Sequence, residues 1–491
     1  MGDKKTSFFK HFAVIFSGTF INILVGVLTT PIITRLVDPV EYGKLSIFNL
    51  YVSLAVIVLC LGLDQALIRF YYKQEDLSYR SSLLKKCVIL PLLVTLSISF
   101  LFIVLCSTNI IIFEFDTTIC IVLCICVIFQ LLNRFSFLVV RLDYSSKTYS
   151  VLHILHKVSY VVFAILLLYL IDGNDLFLLA FSTTASVAVV TIAGIVIKRS
   201  IWFGRIDNKY SISTKDLICF GAPFILSMGI AVLFQGIDKI AINYFCDYSE
   251  VGIYASAMSL VHIFSILQST FNSLWTPMAT ENYEKNPEDR TFYQKGNAYI
   301  TILMFAFGLC LILCKDVFAI LLGEKYREAA YILPCLAFNP IMYTISESTV
   351  NGINFAKKSH LHIWTSVIAC VVNIVGNIIL VPDFGGRGAA ISTGLAYIVF
   401  YTMRTMLSKK YFPVNYKLCR FYIITVVTFL YALYNTFFAF DIISILGFLI
   451  CFAILLLLYR KEFLECIKIA KMFIKKKNKN ESEINDEENQ I

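Results

Sequence analysis

Apolar runs of about 20 residues recur along the whole chain, the length a helix needs to cross a bilayer. The pattern predicts fourteen spans, at 10–34, 45–70, 87–108, 117–140, 148–171, 176–197, 217–245, 252–278, 297–314, 329–351, 360–381, 386–407, 420–438 and 441–459. The run at 329–351 is the least regular, because it carries Pro334, Pro340 and Glu347. A transmembrane β-barrel would show alternation over ~10-residue segments, and these runs do not alternate. With 58% hydrophobic and 15% charged residues, too few charges remain to cover a soluble fold of this size. Disorder and a disulfide-rich secreted module are excluded on the same grounds. The expected fold class is therefore an all-α polytopic membrane protein.

Lys and Arg set the orientation of such a chain. With a cytoplasmic N-terminus, 33 of the 42 basic residues fall on inner segments. Six fall outside: Arg35, Lys44, Lys315, Lys325, Arg327 and Arg387. Fourteen spans then leave both termini cytoplasmic. The basic excess is a topology signal and gives no reason to expect nucleic-acid binding. The first apolar run is too long for a cleavable signal peptide and lacks a small-residue cleavage site. Cys120, Cys124 and Cys126 crowd one span and are read as small buried hydrophobes. The segment from Lys475 onward is charged and of low complexity, as disordered tails are.

The chain also repeats itself. Asp38-Pro39-Val40-Glu41-Tyr42-Gly43 follows the first span and Asp247-Tyr248-Ser249-Glu250-Val251-Gly252 follows the seventh, 209 residues later. Six spans separate the copies, so both lie on one membrane face. The expectation is a parallel repeat about an axis along the membrane normal. It divides the chain into a six-helix bundle at 1–210, a second at 211–412, two further helices at 413–460 and a cytoplasmic tail at 461–491. The acidic residues suit a helix N-terminus, and Gly43 and Gly252 permit close packing.

Ionisable residues within spans are candidates for function, since a charge in hydrocarbon costs several kcal/mol. Lys157 lies near the middle of the fifth span, with His153 on the same face and His156 adjacent in sequence. The two histidines lack a visible third partner for a metal. Arg134 lies in the fourth span, and Arg69 and Arg141 sit at inner helix ends. Together with Lys157 they outline a cationic track suited to a diphosphate, whose oxygens accept charge-assisted hydrogen bonds. Snorkelling or ion pairing would explain the arginines equally well. Three acids share the spans: Asp64, Asp238 and Glu347. Asp64 is within reach of Arg69 or Arg134. Asp238 neighbours Lys239, but adjacent helical residues do not face one another, so each needs its own partner or a cavity. These carboxylates are the candidates for coupling to Na⁺ or H⁺. No other cofactor is expected.

Several motifs carry a resemblance. Pro31-Ile32-Ile33-Thr34-Arg35-Leu36 leading into the first acidic loop, Gly62-Leu63-Asp64-Gln65 followed by Arg69-Phe70-Tyr71, Trp275-Thr276-Pro277, and Asn373, Asn377 and Pro382 followed by Gly385, Gly388, Ala389 and Ala390 resemble the Wzx-type polysaccharide flippases of the multidrug/oligosaccharidyl-lipid/polysaccharide exporter superfamily. The resemblance extends to about residue 410. It implies two bundles around a central cavity and alternating access. It implies transfer of an undecaprenyl-pyrophosphate-linked oligosaccharide from the cytoplasmic to the outer leaflet of a bacterial cytoplasmic membrane. The surface polymer would be capsule, O-antigen or exopolysaccharide, with a polysaccharide polymerase among the partners. The competing readings are a multidrug cation antiporter of the same superfamily and a flippase for another polyprenyl-linked cargo, such as a peptidoglycan precursor. An enzyme is not expected, because the outer loops are short and no nucleotide motif or nucleophile pair is present.

Overall fold

A computed structural model describes residue 26 and residues 29–111, 113–143, 145–205 and 213–465. Helices dominate it, and no strand occurs among the described residues. The principal helices are α1 (Pro39–Leu59), α2 (Leu63–Phe70), α3 (Leu77–Ser107), α4 (Thr117–Leu142), α5 (Ser146–Leu170) and α6 (Asp175–Ile197). A second set follows: α7 (Thr214–Phe245), α8 (Tyr248–Val261), α9 (Phe264–Lys285), α10 (Arg290–Leu313), α11 (Lys315–Leu321), α12 (Ala329–Leu336), α13 (Phe338–Thr349) and α14 (His360–Tyr411). The last two are α15 (Leu418–Phe437) and α16 (Ile442–Leu458).

Short polar side chains start these helices where the apolar pattern begins. Asp76, Asn174, Ser213, Asp247, Asp289 and Asp441 each accept a backbone N–H from a residue two or three positions on, satisfying donors a helix start leaves open. Large apolar side chains such as Phe100 and Leu457 stay mostly exposed, as a lipid-facing surface requires.

Among the described residues, ten helices are long and apolar enough to cross a membrane, or eleven if α8 and α9, bent by 43°, are one span. The difference from fourteen has local causes. The expected first span lies mostly outside the described residues. The spans expected at 360–381 and 386–407 run on as α14, broken at Gly385, whose φ of 54° and ψ of −134° are non-helical. The final helix has 17 residues, about 26 Å, shorter than a typical hydrocarbon core. The irregular run at 329–351 folds as two helical pieces, α12 and α13.

The two copies of the repeated loop meet. A methyl group on Gly43 would stand 1.8 Å from the Tyr248 carbonyl oxygen, and one on Gly252 would stand 2.0 Å from that of Pro39. Only glycine allows α1 and α8 so close. The same end is tied by Thr30 Oγ1 to Ser259 Oγ at 2.5 Å, by Tyr326 Oη donating to the Val37 carbonyl at 2.9 Å, and by the Lys325–Asp38 ion pair. Glu114 accepts from Tyr51 and Tyr248 hydroxyls at 3.2 and 3.1 Å and from Asn243 at 3.3 Å. Toward the opposite end, Gly62 breaks α1 from α2 with φ at +67°, and a methyl group there would stand 2.1 Å from the Gly221 carbonyl oxygen. Phe70 and Phe220 pack edge to face beside it at 5.7 Å. The described parts of the two helix sets therefore touch near both ends and leave space between.

Candidate functional site

That space holds three polar chambers. The first, about 370 Å³, is lined by Lys157 and His156 of α5, Gln130 of α4, and Lys239 and His262 from the second set. The second, about 450 Å³, shares Asn49, Lys239, Met258 and His262 with the first and adds Gln235, Gln268 and Asn339. The third, about 390 Å³, shares Gln130 and His156 with the first and extends past Asn133 and His153 to Arg141. Shared walls connect the three in series. His262 lies within electrostatic reach of both Lys157 and Lys239, so cations from both helix sets converge on the first chamber. Neither lysine has an ion-pair partner among the described residues.

The other sequence-derived cations fall differently. Arg134 is paired: its guanidinium reaches Asp64 Oδ2 at 2.6 Å through Nη2 and 2.8 Å through Nε. Asp64 is buried and also accepts from Gln65 Nε2 at 2.9 Å. Of the two arginines within reach in sequence, the carboxylate selects Arg134. Arg69 is exposed on α2 and lines none of the three chambers. Arg141 is exposed and lines the third. Glu347 is held by Arg404 at 2.7 Å, and Arg404 also donates to Ser346 Oγ at 2.8 Å.

Asp238 has a different environment. Its carboxylate is 1% exposed. Oδ1 accepts from Asn373 at 2.9 Å and Asn377 at 2.8 Å, and Oδ2 accepts from Tyr254 at 2.6 Å and Thr393 at 2.7 Å. All four donors are neutral, and they come from α8 and from both sides of the Gly385 break in α14. Among the described residues Asp238 has no ion pair. Asn377 Oδ1 is buried beside it without a hydrogen-bond partner among the described residues. A buried carboxylate needs a proton, a cation or hydrogen-bond donors to balance its charge; here four donors meet it, and the Lys239 ammonium lies within electrostatic reach. One residue on, Lys239 lines the first and second chambers instead, as the helical turn between neighbours requires.

Sequence reasoning missed Lys315. Assigned to an outer segment, it is fully buried, and its ammonium donates to the carbonyls of Asn435 at 2.6 Å and Phe438 at 2.7 Å. It thereby caps the C-terminus of α15, where a cation favours the helix dipole. It also missed Tyr254 and Thr393, whose roles are tertiary; the i,i+4 spacing of Asn373 and Asn377 was the available signal.

A family model described as polysaccharide biosynthesis protein matches residues 8–283, more than half of the chain. The chain belongs to that family. Within it, 276 residues are 22% identical to an uncharacterized membrane protein of Methanocaldococcus jannaschii, covering 55% of this chain and 54% of that protein. A stretch of 251 residues is 24% identical to a probable low-salt glycan biosynthesis flippase of Haloferax volcanii, covering 50% and 52%. The chain thus spans about half the length of the curated relatives it matches. Its fold is that of the lipid II flippase MurJ in an inward closed conformation, with a TM-score of 0.67 at 13% identity over 94% of this chain and 100% of that one. An inward-facing multidrug resistance MATE family transporter of the MOP superfamily has a TM-score of 0.55 at 16% identity, over 79% and 94%. The family member described here is thus a multi-pass membrane protein with the fold those transporters share.

Proposed function

We propose that the protein is a flippase of the Wzx type. It moves an undecaprenyl-pyrophosphate-linked oligosaccharide from the cytoplasmic to the outer leaflet of a bacterial cytoplasmic membrane, for capsule, O-antigen or exopolysaccharide assembly. It is a transporter and not an enzyme, and it hands its cargo to a polysaccharide polymerase. The observation that carries this reading is the chamber in which Lys157 and Lys239, from different helix sets, face one space with no salt bridge among the described residues. A diphosphate there would bridge the two sets with charge-assisted hydrogen bonds. The related glycan flippase supports the same cargo class. The cationic chamber disfavours an antiporter for organic cations.

The contact between Gly43 and Gly252, the matching glycines of the repeated loop, supports two six-helix bundles, at 1–210 and 211–412, that rock about the cargo. The end bearing Asp38 and Asp247 is then the outer one, and both termini are cytoplasmic. Asp238 supplies the coupling site, holding Na⁺ or a proton according to the state of the bundles. Arg134 and Asp64, and Glu347 with Arg404, act as paired struts.

The test is transfer of a fluorescent lipid-diphosphate oligosaccharide in proteoliposomes. Lys157→Ala and Lys239→Ala each slow transfer at least tenfold with the protein still inserted, and Asp238→Asn removes its dependence on a Na⁺ or proton gradient. Wild-type protein that leaves this lipid in its original leaflet, yet moves a lipid-linked peptidoglycan precursor or an organic cation, refutes the assignment.

A further inference from the structure

The third chamber has a chemistry of its own. The amide of Gln130 and that of Asn133 line it without hydrogen-bond partners among the described residues, and Asn133 Oδ1 is buried and unpaired. Each amide offers two donors and an acceptor; both side chains are half-buried, and the one buried unpaired atom, Asn133 Oδ1, costs about 1–3 kcal/mol while unmet. An aromatic wall adjoins them. His153 packs between Phe137 at 4.6 Å and Tyr149 at 4.5 Å, ring to ring, and all three line the chamber. Net charge is low here, because Arg134 is neutralised by Asp64 at 2.6 Å, which leaves Arg141 at the rim. Unmet amides facing aromatic rings suit a ligand that is uncharged, dense in hydroxyls and apolar on its ring faces. Gln130 and His156 are common to this chamber and to the lysine chamber. A group attached directly to a phosphate held by Lys157 would therefore enter it.

We infer that the chamber bounded by α4, α5 and Gln65 is a carbohydrate subsite. It receives the sugars proximal to the diphosphate while the lysines hold the diphosphate. The inference rests on the flippase reading, and it assigns Gln130, Asn133, Tyr149 and His153 to recognition of the glycan.

The experiment uses the full-length protein in lipid nanodiscs and two probes. One is undecaprenyl diphosphate without sugar. The other is undecaprenyl-diphosphate-linked oligosaccharide extracted from the producing strain. Wild-type protein binds the glycosylated lipid at least tenfold more tightly than the bare one. Asn133→Leu, close in volume, erases that preference and leaves the affinity for the bare lipid within twofold; Gln130→Met, at a position shared with the lysine chamber, also erases the preference. Lys157→Ala weakens both probes together. Equal binding of the two probes by wild type overturns the subsite, as does a preference that survives both amide substitutions. So does an equal loss of both affinities in both amide variants. Wild-type protein that binds neither lipid fails the flippase reading itself, a result distinct from the others.

Discussion

Adding a single methyl group at Gly43 tests the closure of the outer end. In the structure that methyl carbon would lie 1.8 Å from the Tyr248 carbonyl oxygen and 2.9 Å from the Gly252 nitrogen. Both are backbone atoms, so no side chain can swing aside. To reach ordinary contact near 3.4 Å, α1 and α8 must part by roughly 1.6 Å. Overpacking of this kind costs about 1–3 kcal/mol, and the cost falls only on the state in which these helices touch. Gly43→Ala should therefore lower the ratio of outer-closed to outer-open molecules by about 5- to 160-fold. The matched control is Gly229→Ala, where the new methyl meets nothing within 4 Å and helix propensity gains about 1 kcal/mol. Spin labels on Asp172 and Arg327, in loops at this end, report the separation by pulsed electron resonance. Gly43→Ala broadens the distribution toward longer distances and Gly229→Ala does not. An unchanged distribution in well-inserted Gly43→Ala protein would show that the glycine contact does not govern closure.

Other substitutions separate struts from binding groups. Asp64→Asn and Arg134→Gln should each lower thermal stability, and a double-mutant cycle should give coupling of about 1 kcal/mol or more; additive effects would mean that the 2.6 Å pair contributes nothing. Lys315→Met strips the donor from one buried and one part-buried carbonyl and should cost about 1–3 kcal/mol, seen as a lower melting temperature with cargo affinity retained. Outside the spans, hydrogen bonds from the Tyr434 hydroxyl and the Ser444 backbone hold the Asp441 carboxyl below the usual carboxylate range. Its stabilising contribution is present at neutral pH and is lost as pH falls through that depressed value. Asp441→Asn should flatten the acid limb of the stability profile.

Much of the architecture was legible because bilayer thickness imposes a length on every apolar run. The breaks were legible too: Gly62 and Gly385 stood at motif boundaries, and both adopt positive φ. What each charge faces was not legible. Lys157 and Arg134 looked alike as cations in neighbouring spans, and both line chambers, yet Arg134 is held by Asp64 and Lys157 has no salt bridge among the described residues. That difference depends on how α2 packs against α4, which periodicity does not encode. Asp238 could be singled out as a buried acid, but its four donors lie 16 to 155 residues away along the chain. Lys315 was misleading, because a lysine in a short outer loop ordinarily stays in water.

Lys315 also sets a rule for trimming the molecule. The last two helices lie outside the repeated portion, so a shortened chain ending near residue 412 is an obvious engineering target. Such a chain would remove Asn435 and Phe438, whose carbonyls are the hydrogen-bond partners that satisfy the buried ammonium. The ammonium would then lose both acceptors. A viable minimal version should carry a neutral residue at 315, so deletion of the helices and loss of that lysine are expected to occur together in natural or designed short forms.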